Sequence, residues 1–105
     1  MNLLHEQNFT YEQLKAIYSF LEWVNSCNNE LGSNCNIDAL QLYKDNYGNF
    51  YASYFLNSFN QNGLVSSLEY IEIDREGEKT NLTNRYDNTA DIAMKLSKYE
   101  EIKLM

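Results

Sequence analysis

The chain has 105 residues, which corresponds to one domain spanning 1–105. Apolar residues make up 44% of it, so it can bury a core and global disorder is excluded. Eight basic against 15 acidic residues give a net charge of −7, which argues against nucleic acid or an anionic membrane as a direct ligand, because both need a basic surface.

The first residues, Met1–Glu6, contain neither a basic segment nor a long apolar one, and so do not resemble a signal peptide. No run of about 18 apolar residues predicts a transmembrane helix. We therefore expect a cytoplasmic protein. In a reducing cytosol, Cys27 and Cys35 are expected to be thiols rather than a disulfide.

A long helix is predicted from Tyr11 to Glu30. Thr10 and Gln13 have the spacing of a capping box, in which each side chain accepts a hydrogen bond from the backbone N–H of the other residue. Gly32 is placed to end the helix in a left-handed conformation.

This helix carries two apolar stripes, which together cover roughly 220° of its circumference at about 100° per residue. The first contains Leu14, Ile17, Leu21, Val24 and Leu31, and the second contains Ala16, Phe20, Trp23 and Cys27. An ordinary surface helix needs an apolar arc of only about 100° or somewhat more. Either the sheet and a second helix of the same chain wrap this helix, or Phe20 and Trp23 form an interface, as in a homodimer.

Three strands are predicted next: Ile37–Lys44, Phe50–Phe59 and Leu64–Asp74. Turn-forming residues separate them at 45–49 and 60–63. The second strand is apolar on both faces, which is typical of a central strand covered on both sides. In the third strand the apolar residues change phase, which suggests a β-bulge.

The segment Arg75–Glu78 is a predicted turn, and Lys79–Tyr86 fits a short fourth strand or a loop. Asn88 or Thr89 would cap a final helix. The shared face of that helix would contain Ile92, Leu96, Tyr99 and Lys103. The predicted fold class is α+β: an N-terminal helix, a three- or four-stranded antiparallel meander and a C-terminal helix.

Five carboxylates within ten residues form the first candidate binding feature: Glu69, Glu72, Asp74, Glu76 and Glu78. On a strand, the side chains of Glu72, Asp74 and Glu76 would point the same way and repel one another. Such a row protects an edge strand from pairing, or it docks onto a basic groove by imitating the charge spacing of a nucleic-acid backbone. The sequence leaves both readings open.

Tyrosine is the second feature, with nine residues in the chain. Tyrosine offers a large contact area for little loss of entropy, and it is enriched at interfaces. The tyrosines on strands are expected to fill the core. Tyr47, in a turn beside Gly48, is expected to be exposed and to anchor a partner.

The sequence predicts no enzyme, catalytic residue, cofactor or metal site. Fifteen carboxylates form pairs by chance, and Cys27 as a nucleophile would depend on the single imidazole of His5. A zinc site built from Cys27, Cys35 and two carboxylates lacks the usual tight spacing. No nucleotide-binding, metallohydrolase or serine-hydrolase motif is present.

The acidic run from Glu69 to Glu78, together with the length, net charge and Asn- and Tyr-rich composition, resembles small inhibitors encoded by phages and mobile elements, among them anti-CRISPR proteins. The resemblance lies in the overall profile and matches no residue motif, so it transfers no functional residue. It implies a non-enzymatic protein that blocks the basic nucleic-acid site of a CRISPR effector or another nuclease. The alternatives are an immunity protein that neutralises a toxin and a homo-oligomeric structural protein.

Overall fold

The computed structural model describes residues 7–29, 34–84 and 89–103, which form a five-stranded antiparallel sheet and two helices. The elements are α1 (Tyr11–Asn29), β1 (Cys35–Lys44), β2 (Phe50–Asn60), β3 (Gly63–Ile73), β4 (Lys79–Asn81), a 3₁₀ turn (Leu82–Asn84), α2 (Thr89–Leu96) and β5 (Glu100–Ile102). The strands lie in the order β4-β3-β2-β1-β5. The predicted α+β class is confirmed.

The central strand β2 is covered on both faces over its first half, as its sequence predicts. Phe50, Ala52 and Tyr54 pack in the same core as α1, so we call this side of the sheet the α1 face. Tyr51 points the other way, into a second core that includes Ile92 of α2. We call that side the α2 face.

The predicted capping box at the start of α1 is confirmed. The backbone N–H of Gln13 donates to Thr10 Oγ1 at 3.1 Å, and the N–H of Thr10 donates to Gln13 Oε1 at 3.2 Å. Phe9, just before the cap, packs edge-to-face on Phe50 with ring centroids 5.9 Å apart. The helix ends at Asn29, and the predicted terminator Gly32 lies outside the described residues.

The wide apolar arc of α1 is explained mainly by its own sheet. Ile17 from the first stripe and Phe20 from the second are both buried in the α1-face core. The expectation that a second helix also wraps α1 is wrong, because α2 packs on the opposite face. Phe20 is 3% exposed, which makes it a core residue rather than part of an open interface, whereas Trp23 remains 38% exposed.

The predicted bulge in β3 is wrong, since β3 pairs with β2 without interruption from Gly63 to Ile73. The change of phase has another cause: Tyr70 faces the α2 core and Ile71 faces the α1 core, and both cores need apolar side chains. A register shift occurs in β1 instead, next to Ala39, whose φ is +55°.

The C-terminal helix is shorter than predicted and does not end the chain. It stops at Leu96, and Glu100–Ile102 form the edge strand β5 beside β1, so Tyr99 and Lys103 are not helical. Pairing with β1 and burial of Ile102 in the α1-face core compensate for the lost helical turns. The segment Lys79–Tyr86 begins as strand β4 and continues as the 3₁₀ turn, and 85–88 lie outside the described residues.

Both cysteines are thiols, with Cys27 buried and Cys35 half-buried. Of the helices that the structure describes, none is both long and apolar enough to cross a membrane.

Candidate functional site

Two turns of the same kind lie at one end of the sheet, Asp45–Asn49 between β1 and β2 and Asp74–Glu78 between β3 and β4. In each, the first N–H donates to the fifth carbonyl, at 3.1 and 3.0 Å. The glycine N–H donates back to the first carbonyl, at 3.3 and 2.9 Å. Gly48 and Gly77 have φ of +87° and +83°, which completes a type I turn followed by a left-handed glycine.

The first turn of α1 ties these two turns together. The fully buried side-chain amide of Gln13 donates to the carbonyl of Gly48 at 2.8 Å and to that of Ile73 at 3.1 Å. Thr10 Oγ1 donates to the carbonyl of Arg75. A Cβ at Gly77 would lie 2.6 Å from a backbone oxygen of α1, which shows how closely the turn approaches the helix. We call this assembly of two turns and a helix start the turn end.

Asp45 organises the first turn from within. Its Oδ1 accepts the N–H groups of Tyr47 and Asn49, both at 2.9 Å, and its Oδ2 accepts the hydroxyl of Tyr51 at 2.8 Å. Burial alone would raise the pKa of Asp45, but the hydrogen bonds outweigh it, so the pKa lies below the usual 3.8. Burial, followed by the bonds to Asp45 and Glu72, raises the pKa of Tyr51, which keeps its hydroxyl a donor.

Asp74 has the same role in the second turn, where its Oδ1 accepts the N–H groups of Glu76 and Glu78, both at 2.9 Å. Glu76 therefore occupies the position that Tyr47 occupies in the first turn. Both side chains are exposed, and Tyr47 is 82% exposed, as the sequence predicts. Glu78, the last residue of the second turn, is also exposed.

The predicted single row of carboxylates is not formed. Glu69 lies on the α1 face and accepts a hydrogen bond from Tyr54 at 2.9 Å, whereas Glu72 lies on the opposite face, across from Tyr51. The strand ends at Ile73, so Asp74 and the residues after it follow the turn and not a strand. The structure places the exposed Tyr47, Glu76 and Glu78 on the two turns at one end of the sheet and leaves Glu69 and Glu72 half-buried along the sheet.

The turn end is predominantly anionic. It carries five carboxylates, Glu12, Asp45, Asp74, Glu76 and Glu78, and one cation, Arg75; Lys44, Lys79 and Glu100 lie on the strands next to it. Lys44 Nζ lies 3.9 Å from Glu100 Oε2, and the Arg75 guanidinium donates to the carbonyl of Asn8 at 3.4 Å. Both cations line a shallow polar cleft of about 350 Å³ next to Tyr47.

The equivalence of the two turns is absent from the sequence-based predictions, although the signal is visible. Both segments read Asp-x-x-Gly-x, at 45–49 and 74–78. An Asp that can bond the backbone and a glycine three residues later are what this turn requires. The role of Gln13 beyond its cap has no local signal, because its two carbonyl partners lie 35 and 60 residues away.

Within the described ranges, no group of three or more His, Cys, Asp or Glu side chains is arranged to hold a metal ion. The chain matches no protein-family model, no curated protein and no solved structure.

Proposed function

We propose that this protein is a non-enzymatic inhibitor that docks its turn end on a basic, nucleic-acid-handling site of a larger protein, such as a CRISPR effector or another nuclease. One observation carries the proposal. Tyr47, 82% exposed, and the exposed Glu76 and Glu78 lie on two turns at the same end of the sheet, and the buried Gln13 side chain bridges Gly48 in the first turn and Ile73 just before the second.

The tyrosine and the glutamates of the turn end would have different roles in binding. Interfaces gain most of their affinity from a few anchors, and tyrosine is one of the residues enriched among them. Tyr47 provides that anchor, whereas Glu76 and Glu78 raise the rate of encounter with a basic partner and favour it over acidic ones. Without a row of carboxylates, inhibition rests on steric occlusion aided by charge and not on imitation of a nucleic-acid backbone.

A rigid presentation favours binding. The turns are braced by Asp45 and Asp74 and by the helix start, so Tyr47 has little loop freedom to lose on association. The nearby cations do not reverse the sign of the surface, because Lys44 lies beside Glu100 and the Arg75 guanidinium turns back onto Asn8.

A displacement assay tests the proposal. A panel of purified CRISPR effectors and other nucleases is loaded with fluorescent target DNA, and the protein is added. We expect it to release DNA from at least one of them, with an affinity that weakens from 50 to 500 mM salt, over which the Debye length falls from roughly 14 to 4 Å. Tyr47→Ala should weaken displacement about tenfold or more, as expected for an anchor residue.

The matched control compares two double variants with the same net charge. Glu76→Gln with Glu78→Gln removes carboxylates from the turn end, whereas Glu22→Gln with Asp91→Asn removes exposed carboxylates from the helices. Only the first should slow association. Failure to displace DNA from any member of the panel, or equal effects of both double variants, would contradict the proposal.

A further inference from the structure

In the part of the chain that the structure describes, the outer edge of β3 has no strand partner over most of its length, although the 3₁₀ turn packs beside its later part, where Leu82 shares a core with Tyr70 and Leu68. Among the described residues, β4 pairs with β3 only from Ile71 to Ile73, and no strand pairs with the outer edge of 63–70. The edge of β1 differs, because the Asn28 side chain accepts from the N–H of Ile37 at 2.7 Å and donates to its carbonyl at 3.2 Å. Within the described ranges, the β1 edge is thus covered by β5 and, at Ile37, by Asn28, whereas β4 covers only the last three residues of the β3 edge.

The open edge lacks the usual protection against pairing. Natural edge strands are blocked by charges, proline or bulges. In contrast, no charged residue occurs from Phe50 to Leu68, although 22% of the chain is charged. β3 has no bulge in its pairing with β2. Large apolar side chains are exposed around it: Phe55 at 43%, Phe59 at 59%, Leu64 at 59% and Val65 at 51%.

The pairing pattern shows which backbone groups face outward. A two-residue turn joins the pair Asn60 and Gly63, so Gly63 exchanges hydrogen bonds with β2 and every second residue after it does the same. The intervening residues Leu64, Ser66 and Leu68 then direct their N–H and carbonyl groups to the open edge. The same alternation holds farther along, where the N–H of Asp74 donates toward the β4 side.

We propose that the open edge of β3 pairs with the same edge of a second copy of this chain, antiparallel about a two-fold axis at Ser66. In this register Ser66 faces Ser66 of the second copy, and Leu64 faces its Leu68. Three outward-facing residues in each copy then form six backbone hydrogen bonds. The two five-stranded sheets join into one sheet of ten strands.

A second copy fits this edge because the edge is self-complementary. Leu64 and Leu68 lie on the α2 face with Phe55 and Phe59. In the proposed register Leu64 of each copy lies beside Leu68 of the other, so the apolar α2 face continues across the interface. Glu69 lies opposite Gly63, and no two like charges face each other. The net charge of −7 on each chain makes two copies repel each other over most of their surfaces, so the uncharged region from Phe50 to Leu68 is the favoured place for contact.

The inference does not depend on the proposed function, although it is compatible with it. β3 runs from the β2–β3 turn toward the turn end, so antiparallel pairing directs the two turn ends away from each other. Both copies of Tyr47 then remain free. A dimer of this kind would present two docking surfaces on opposite sides.

Charge substitution at the axis tests the pairing by sedimentation equilibrium from about 1 µM to 1 mM, the range in which weak dimers form. Ser66→Glu and Ser66→Lys each place like charges directly opposite each other, and each should weaken the dimer about fivefold or more. An equimolar mixture should recover at least wild-type affinity, which also shows that both variants are folded. Ser19→Glu, exposed on α1, is the charge control and should leave the dimer unchanged.

A cysteine cross-link tests the register. Facing residues of a hydrogen-bonded antiparallel pair have Cα atoms about 5.5 Å apart, which suits a disulfide. Under mild oxidation Ser66→Cys should form a covalent dimer, whereas wild type and the exposed Ser97→Cys should not. A wild-type chain that stays monomeric at 1 mM, or a dimer that Ser66→Glu and Ser66→Lys leave unchanged, would overturn the proposal.

Discussion

The two ends of the sheet are built from the same central strands and yet differ in almost every physical property. At the turn end, β2 begins at Phe50, which is fully buried in the core between α1 and the sheet, and the surrounding surface is charged. At the other end, which we call the hairpin end, β2 and β3 are joined by Gln61 and Asn62, and Phe59 is 59% exposed. The aromatic content of a strand therefore does not decide burial. What packs on the strand does.

The largest difference in stability between the two ends is expected from alanine substitutions of Phe50 and Phe59. Phe50→Ala should lower the free energy of unfolding by about 3–5 kcal/mol, since it leaves a cavity in a core that cannot collapse fully. Phe59→Ala should change it by less than about 1 kcal/mol, because the ring is mostly in water. Urea unfolding of both variants at low micromolar concentration measures the difference. Similar losses would mean that the hairpin end is as tightly packed as the turn end.

The amide that braces the turn end gives the next largest effect. Gln13→Ala should lower the free energy of unfolding by about 3 kcal/mol, since the carbonyls of Gly48 and Ile73 lose a buried donor. Gln61→Ala, at the exposed hairpin tip, is the matched control and should stay within about 0.5 kcal/mol of wild type. Equal effects would show that the brace contributes no more than an exposed glutamine.

Much of the fold is accessible from the sequence because its signals are local. The spacing of Thr10 and Gln13 alone predicts the helix start, and the apolar residues on both faces of 50–59 indicate a strand covered on both sides. The edge strand β5 has no such signal, because Glu100–Ile102 are only three residues and their pairing with β1 is decided by the burial of Ile102. Short elements depend on tertiary contacts that local patterns do not encode.

The candidate site is predictable only in part, for the same reason. The exposure of Tyr47 follows from its place in a turn beside Gly48. A common face for Glu72, Asp74 and Glu76 assumed that the strand continues, whereas Asp74 bonds the turn backbone and ends it. The side chain of Asp74 accepts hydrogen bonds from the backbone of its own turn, and these bonds compete with continued strand pairing, as is usual for Asp in turns.

Alanine substitutions at two glycines with positive φ, Gly63 at the hairpin end and Gly77 at the turn end, test how tightly each end is packed. At Gly63, φ is +108° and no atom of the described residues lies within 4 Å of an added Cβ, so alanine should cost only the backbone strain, about 1–2 kcal/mol. At Gly77, an added Cβ would lie 2.6 Å from the Glu12 carbonyl oxygen, so Gly77→Ala should cost about 1 kcal/mol or more beyond that strain. Thermal and urea unfolding of the pair isolate the contact, and equal losses would contradict it.

The smallest predicted difference between the ends is a dependence on pH. Asp45 at the turn end and Asn60 at the hairpin end each accept the N–H of the residue two positions later, at 2.9 and 2.8 Å, but only Asp45 titrates. Its pKa lies below the ordinary value in the folded chain because the hydrogen bonds from Asn49, Tyr51 and Tyr47 outweigh the effect of burial.

The sign of the effect follows from that shift. A carboxyl with a lower pKa in the folded state binds protons more readily when unfolded, so Asp45 stabilises the fold fully above about pH 4, its unfolded pKa. That contribution is lost as the pH falls through the folded pKa. We therefore expect wild type to lose more stability between pH 5 and 2 than Asp45→Asn, measured by urea midpoints at each pH, whereas Asn60→Ala should show the full wild-type loss. If Asp45→Asn lost as much as wild type over this range, the carboxylate would not be what holds the first turn, and the bracing of Tyr47 would have to come from the backbone and Gln13 alone.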